Sequence, residues 1–197
     1  MKNQNFSSII LAGGESSRIG ENKALLSVIA EPLIKIVKER LEKISNKIYI
    51  VTLNPEDYSF LDNVEFVKDI YPEKKSILEA MYSGLKASSD EYNFICSCDL
   101  PYLNINLVNY LYSLTTNFDA VVPIFNNDTK TLHAFYSKKC LEPMEKVLEK
   151  GNKKVSRIFR DLNIKYVPEK ALIEEDDKLL SFFSVKTYLD YMLCKDS

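Results

Sequence analysis

Read for apolar and polar positions alone, the chain alternates between two kinds of segment. Short apolar runs of strand character stand at 7–11 (SSIIL), 47–51 (KIYIV), 64–67 (VEFV), 92–96 (YNFIC), 120–125 (AVVPIF), 132–136 (LHAFY) and 164–167 (IKYV). Between most of them lie segments whose apolar residues recur at helical spacing. The clearest opens with Pro32 in its first turn and puts Leu33, Val37, Leu41 and Ile44 on one stripe, the period of an amphipathic helix. Further helices are expected at 76–88, 106–115, 143–150 and 154–162. Strand and helix in alternation predict a mostly parallel sheet covered on both faces, because parallel neighbours need long crossovers. The fold class is therefore α/β, with three αβα layers. A length of 197 residues fits one domain spanning 1–197.

In such sheets ligands sit beyond the carboxyl ends of the strands. Those ends read LAGGESSR, TLN, KDI and CDLP. After the first strand, Gly13 and Gly14 permit backbone conformations and close approach that side chains forbid, and exposed backbone N–H groups with Arg18 and Lys23 suit a polyphosphate. The spacing matches neither G-x-x-x-x-G-K-[ST] nor G-x-G-x-x-G. A flexible polar loop is the competing reading. A second signal is Asp99, delivered by an apolar run and followed at once by Leu100 and Pro101. A carboxylate there can hold Mg²⁺, which prefers oxygen ligands and shares them with phosphates, although Asp-x-Pro also occurs as a plain turn or cap. Asn54 and Asp69 end the second and third strands and reach the same rim; a helix cap and a surface charge are their ordinary alternatives. His133, the sole histidine, lies in an alternating run and reads as a packed residue rather than a catalyst.

Charge and cysteine content narrow the picture. The 26 basic and 28 acidic residues leave a net charge of −2, without the basic excess of a nucleic-acid binder. No basic leader followed by an apolar stretch and no membrane-length apolar run is present, so a soluble, cytoplasmic protein is expected. Cys96, Cys98, Cys140 and Cys194 lack C-x-x-C spacing and read as reduced thiols. The acidic run at 173–178 reads as a solvated loop.

Two stretches also carry a family resemblance. ILAGGESSRIGENKALL resembles the pattern L-A-G-G-x-S-x-R-M-G-x-x-K-x-L, and CDLPYL resembles C-D-x-P-F/Y-L. Both are signatures of the molybdenum cofactor guanylyltransferases, a branch of the nucleotidyltransferase superfamily. The stretch from 132 to 159 is similar to that family's later segment, so the likeness runs from about residue 7 to about 192. The resemblance implies a Rossmann-like nucleotidyltransferase fold, with Leu11, Ala12, Gly13 and Gly14 bordering the nucleotide and Lys23 on its phosphates. It further implies Asn54 and Asp69 in the nucleotide pocket, Asp99 on the nucleotide and Mg²⁺, and Arg18 as the signature arginine. Mn²⁺ suits the same oxygen site. The implied reaction transfers GMP from GTP to the terminal phosphate of molybdenum-bearing molybdopterin. Catalysis then falls to Arg18, Lys23 and Asp99, with apo-molybdoenzymes or other cofactor-synthesis proteins as partners.

The sequence departs from the family pattern at two places. Ser76, Ile77 and Ala80 stand where G-P-L-x-G is usual, which bears on base recognition. Ser184 and Lys186 stand at the asparagines of F-x-N-[IV]-N-T, which bears on the acceptor side. A cytidylyl- or sugar-phosphate nucleotidyltransferase, and a nucleotide-binding accessory protein without turnover, remain the alternatives.

Overall fold

Every residue of the first strand, β1 (Phe6–Leu11), is buried. That is possible because neighbours satisfy its backbone on both edges and helices cover both of its faces. The computed structural model describes residues 5–13, 22–28, 31–68 and 76–195. Beside β1 lie β2 (Ile48–Val51), β3 (Glu65–Val67), β4 (Tyr92–Ser97), β5 (Ala120–Phe125), β6 (His133–Ser137) and β7 (Ile164–Val167). They form a sheet in the order β7-β5-β6-β4-β1-β2-β3. All neighbours pair in parallel except those involving β6, which runs antiparallel to β4 and β5. A two-residue strand, Asp128–Thr129, extends the sheet beside the end of β5. The apolar runs thus fall on strands to within a residue, and the mostly parallel sheet is observed.

Period-two alternation then makes two cores. Phe6 and Ile10 of β1 pack on the face covered by α1 (Leu33–Glu42) and α3 (Ile105–Ser113), through Ile34, Val37, Leu41, Leu107 and Leu111. Ile9 and Leu11 pack on the opposite face, against Leu78, Met81 and Leu85 of α2 (Ile77–Ala87) and Met144 of α4 (Leu141–Glu149). This gives the three expected layers. Buried Ser8 shares a hydrogen bond with Ser45, and Ser7 donates to Asp90.

The structure corrects several local expectations. Pro32 precedes α1 rather than opening its first turn, because it closes a small antiparallel hairpin of Ser27–Val28 and Glu31–Pro32. The segment expected to be helical at 154–162 is a 3₁₀ helix, Val155–Asp161. Two helices went unread, α5 (Glu169–Ile173) and α6 (Tyr188–Lys195). α5 is short, and α6 leaves Leu189 and Leu193 exposed, which blurs the amphipathic period. The acidic run is not wholly solvated, since Asp176 is buried and accepts the Ser181 N–H at 3.0 Å.

Chain direction decides where α2 begins. Strand β3 ends at the carboxyl edge of the sheet and β4 starts at the amino edge, so α2 must run back between them and its N-terminus lies at the carboxyl edge. Ser76 caps it, accepting the Glu79 N–H; at the glycine position of the family pattern this chain starts the helix with a serine cap. Lower down, Gly84 lets α2 lie directly on the sheet: a Cβ there would come within 2.5 Å of Ile9 and 2.9 Å of Val51. Gly84→Ala is expected to lower the unfolding free energy by about 1–3 kcal/mol through overpacking, despite alanine's better helix propensity. Urea denaturation would measure it, and a neutral or stabilising result would mean that the helix shifts freely.

Candidate active site

The strand order reverses between β1 and β4. The chain leaves β1 toward β2 and β3, whereas β4 returns on the other side of β1 and leads on toward β6. Such a switch point opens a crevice where two loops diverge. The register makes its walls level, because Leu11 pairs with Val51 on one side and Ser97 on the other. The loops carrying Ala12–Gly13 and Cys98–Asp99 therefore leave the sheet side by side.

Tyr58 holds the first loop at both of its described ends. Its hydroxyl donates to the Ala12 carbonyl at 3.1 Å and accepts from the Asn22 side chain at 2.9 Å. Burial pushes its phenol above the ordinary value, which keeps that donor protonated. Asn22 in turn caps the 3₁₀ turn Lys23–Leu25, accepting the Ala24 N–H at 3.2 Å. With Ala24 packed in the core, Lys23 is left half-exposed at the rim. The Cys98 thiol reports the neighbourhood: burial and the Asp99 charge push it up to about 12, while the Lys23 ammonium acts in the opposite sense. Both charges thus act on Cys98, and that thiol is un-ionised at neutral pH. All four cysteines are free, as expected.

Asp99 is only 9% exposed. Ser97 donates to its Oδ1 and Ser184 to its Oδ2, the latter at 2.8 Å, and the Val185 N–H closes on its carbonyl at 3.0 Å. It caps no helix, because α3 starts at Ile105 with Asn104 as its cap. A turn does follow, with the Leu103 N–H on the Leu100 carbonyl at 3.2 Å, but the bonds of the Asp99 carboxylate go to Ser97 and Ser184. Among the described residues no group of three His, Cys, Asp or Glu side chains converges. One carboxylate is nevertheless an ordinary donor set for Mg²⁺, which keeps waters and shares substrate phosphates.

Gly13 is exposed, takes no left-handed conformation, and a Cβ on it would meet nothing within 4 Å. The expectation that backbone conformation demands glycine there is thus corrected; only approach by a ligand remains as a reason. Asn54 is also exposed, and its side chain makes no capping bond. Gly14, Arg18 and Asp69 lie outside the described residues. His133 is packed, as expected: it is 2% exposed, its ring lies edge-on to Phe94, and Nε2 is 3.3 Å from the Ser181 hydroxyl. Sequence reasoning missed Tyr58, Ser97 and the bond from Ser184 to Asp99. Ser184 had stood out only as a departure from the family pattern.

A sheet of this order, with a cation and a carboxylate at its switch point, defines a Rossmann-like nucleotide-binding fold of the nucleotidyltransferase type. The description "MobA-like NTP transferase domain" matches residues 8–167, and the chain belongs to that family. A molybdenum cofactor guanylyltransferase of Desulfosudis oleivorans is 31% identical over 181 residues, covering 91% of this chain and 89% of that protein. A relative in Clostridium perfringens is 32% identical over 188 residues, covering 94% and 93%. Among solved structures, molybdopterin-guanine dinucleotide biosynthesis protein A from Archaeoglobus fulgidus superposes with a TM-score of 0.85 at 22% identity, over 96% of this chain and 97% of that one; at that identity the likeness concerns the fold.

Two outcomes are expected. Gly13→Ala should unfold like the parent protein yet bind nucleoside triphosphate at least about tenfold more weakly, since a methyl costs space only to a ligand; unchanged affinity in calorimetry would remove Gly13 from the site. Burial lowers the His133 pKa from 6.5 to about 3. The unfolded chain therefore binds a proton that the native protein does not between those values, and stability falls as pH drops through that window, by about 1.4 kcal/mol per pH unit from this group. His133→Gln should flatten the slope between pH 6.5 and 5 in urea titrations, and an unchanged slope would show that His133 is not the group responsible.

Proposed function

We propose that this chain, as one domain spanning 1–197, transfers GMP from GTP to the terminal phosphate of molybdenum-bearing molybdopterin and releases pyrophosphate. The observation that carries the reading is the buried Asp99 carboxylate at the switch point, held by Ser97 and Ser184 beside the strand end that leads into Ala12 and Gly13, in a chain whose relatives include a molybdenum cofactor guanylyltransferase. An acceptor phosphate oxygen attacks the α-phosphorus of GTP. The new P–O bond forms as the bond to the bridging oxygen breaks, and that electron pair leaves with pyrophosphate. No protein nucleophile is needed, so the protein contributes alignment and charge neutralisation.

In this reading Leu11, Ala12, Gly13 and Gly14 border the nucleotide, and Asn54 and Asp69 line its pocket. Lys23 acts as a point charge on the phosphates, and Arg18 offers a donor fork to the charge that develops toward pyrophosphate. Asp99 holds a divalent cation, Mg²⁺ or Mn²⁺. When bound, that cation neutralises phosphate oxygens and orients them for displacement. The serine cap on α2 keeps the helix start where the family pattern has glycine and proline, which supports retention of the base pocket. Among the described residues no helix is long and apolar enough to cross a membrane. In this reading the enzyme works in the cytoplasm and its product passes to apo-molybdoenzymes.

The test is calorimetric titration with GTP, CTP, ATP and UTP, with and without Mg²⁺, followed by transfer assays on molybdopterin. GTP is expected to bind selectively, more tightly with Mg²⁺. Asp99→Asn should abolish the metal effect and slow transfer on the order of 100-fold or more while leaving the fold intact. Tighter binding of CTP would move the protein to a cytidylyltransferase. Binding of GTP without transfer would make it an accessory protein.

A further inference from the structure

An aspartate that serves a metal must hold its carboxylate in one direction, because only lone pairs aimed at the cation contribute. Asp99 stands just past the end of β4, where its own backbone fixes little. Ser97 is two residues earlier, the last residue of that strand, and its bond to Oδ1 is local. The bond to Oδ2 is of another kind, since Ser184 comes from 85 residues away in sequence.

The segment that delivers Ser184 is clamped on each side. Ser181 is fully buried; its hydroxyl accepts the Asn104 N–H at 2.9 Å and lies against His133, and its own N–H donates to Asp176. Phe182 stacks on Phe125 with ring centroids 5.3 Å apart, and Phe183 packs on Tyr102. Val185 is fully buried with Leu33 and Cys194. Beyond it, Thr187 and Asp190 cap each other's N–H groups at the start of α6, a capping box. Ser184 therefore has little freedom, and its hydroxyl is a fixed donor. It is also a neutral one. Among the described residues no lysine or arginine forms an ion pair with Asp99. Hydroxyl donors orient the carboxylate without cancelling its charge, which a lysine or arginine partner would do.

We infer that Ser184 is a positioning residue for Asp99: its hydroxyl sets the carboxylate direction for the divalent cation, so the C-terminal segment at 181–187 completes the metal site. The inference rests on Asp99 as the metal carboxylate. It assigns Ser184 to the metal side of the reaction instead of the acceptor side suggested by its place in the family pattern.

The test titrates the full-length protein with Mn²⁺ in the presence of GTP, following free Mn²⁺ by electron paramagnetic resonance. Ser184→Ala is expected to weaken Mn²⁺ binding about 10- to 100-fold, the usual effect of losing a hydrogen bond to a metal ligand. Its metal-free GTP affinity and thermal midpoint should stay at parent values. Ser184→Asn, whose amide can donate to the same oxygen, should recover most of the loss. Parent-like Mn²⁺ affinity in Ser184→Ala would overturn the inference while leaving Asp99 as the metal carboxylate. An equal loss of metal-free GTP affinity would also overturn it, by marking Ser184 as a packing residue. Failure of the parent protein to bind Mn²⁺ would remove both readings.

Discussion

The structure depends on the complete burial of β1. A strand with no solvent on either face must pair its N–H and C=O groups on both edges. Here β2 and β4 supply those partners, both parallel to it. Parallel pairing sends each connection back across the sheet as a helix, and α1 and α2 fall on opposite faces. The same pairing brings the carboxyl ends of three strands to one level. Leu11, Val51 and Ser97 thus end side by side, and the loops that follow them leave the sheet at one edge.

At that edge the protein relies on neutral hydrogen-bonding groups to hold its charged ones. Tyr58 ties the entry and exit of the glycine-bearing loop, and Ser97 and Ser184 take one oxygen each of Asp99. A carboxylate this buried carries a desolvation cost that two hydroxyl bonds partly offset, and neither donor brings a charge of its own. Cys98, next to Asp99 in the chain, stays an un-ionised thiol and adds no charge of its own. The direction of the Asp99 carboxylate thus rests on side chains that a search for ionisable clusters would pass over.

Much of this was legible beforehand because it depends on short-range pattern. Continuous apolar runs such as IIL and FIC read as buried strands because they are short and Gly, Ser, Asp or Pro follow soon after. Leu33, Val37 and Leu41 repeat at helical spacing. Ala12 and Asp99 stand just past such runs, so their nearness followed from topology. The short helices α5 and α6 escaped because five residues carry too little period and because α6 keeps two leucines in solvent. Of the two reasons for glycine at position 13, the backbone conformation falls away because it is not left-handed, and close approach is left.

By itself, then, the sequence determined the element types, the layer arrangement and the strand ends to inspect, since these follow from periodicity and from the chemistry of glycine, lysine and aspartate over a few residues. Tertiary structure alone decided which distant donors reach them. Nothing local in PEDY marks Tyr58 as the tie of a loop more than thirty residues earlier, and nothing in FFSVK marks Ser184 as a partner of Asp99. Such contacts are set by how the two faces pack and where the chain returns, and a hydroxyl carries no periodic signal to announce its partner.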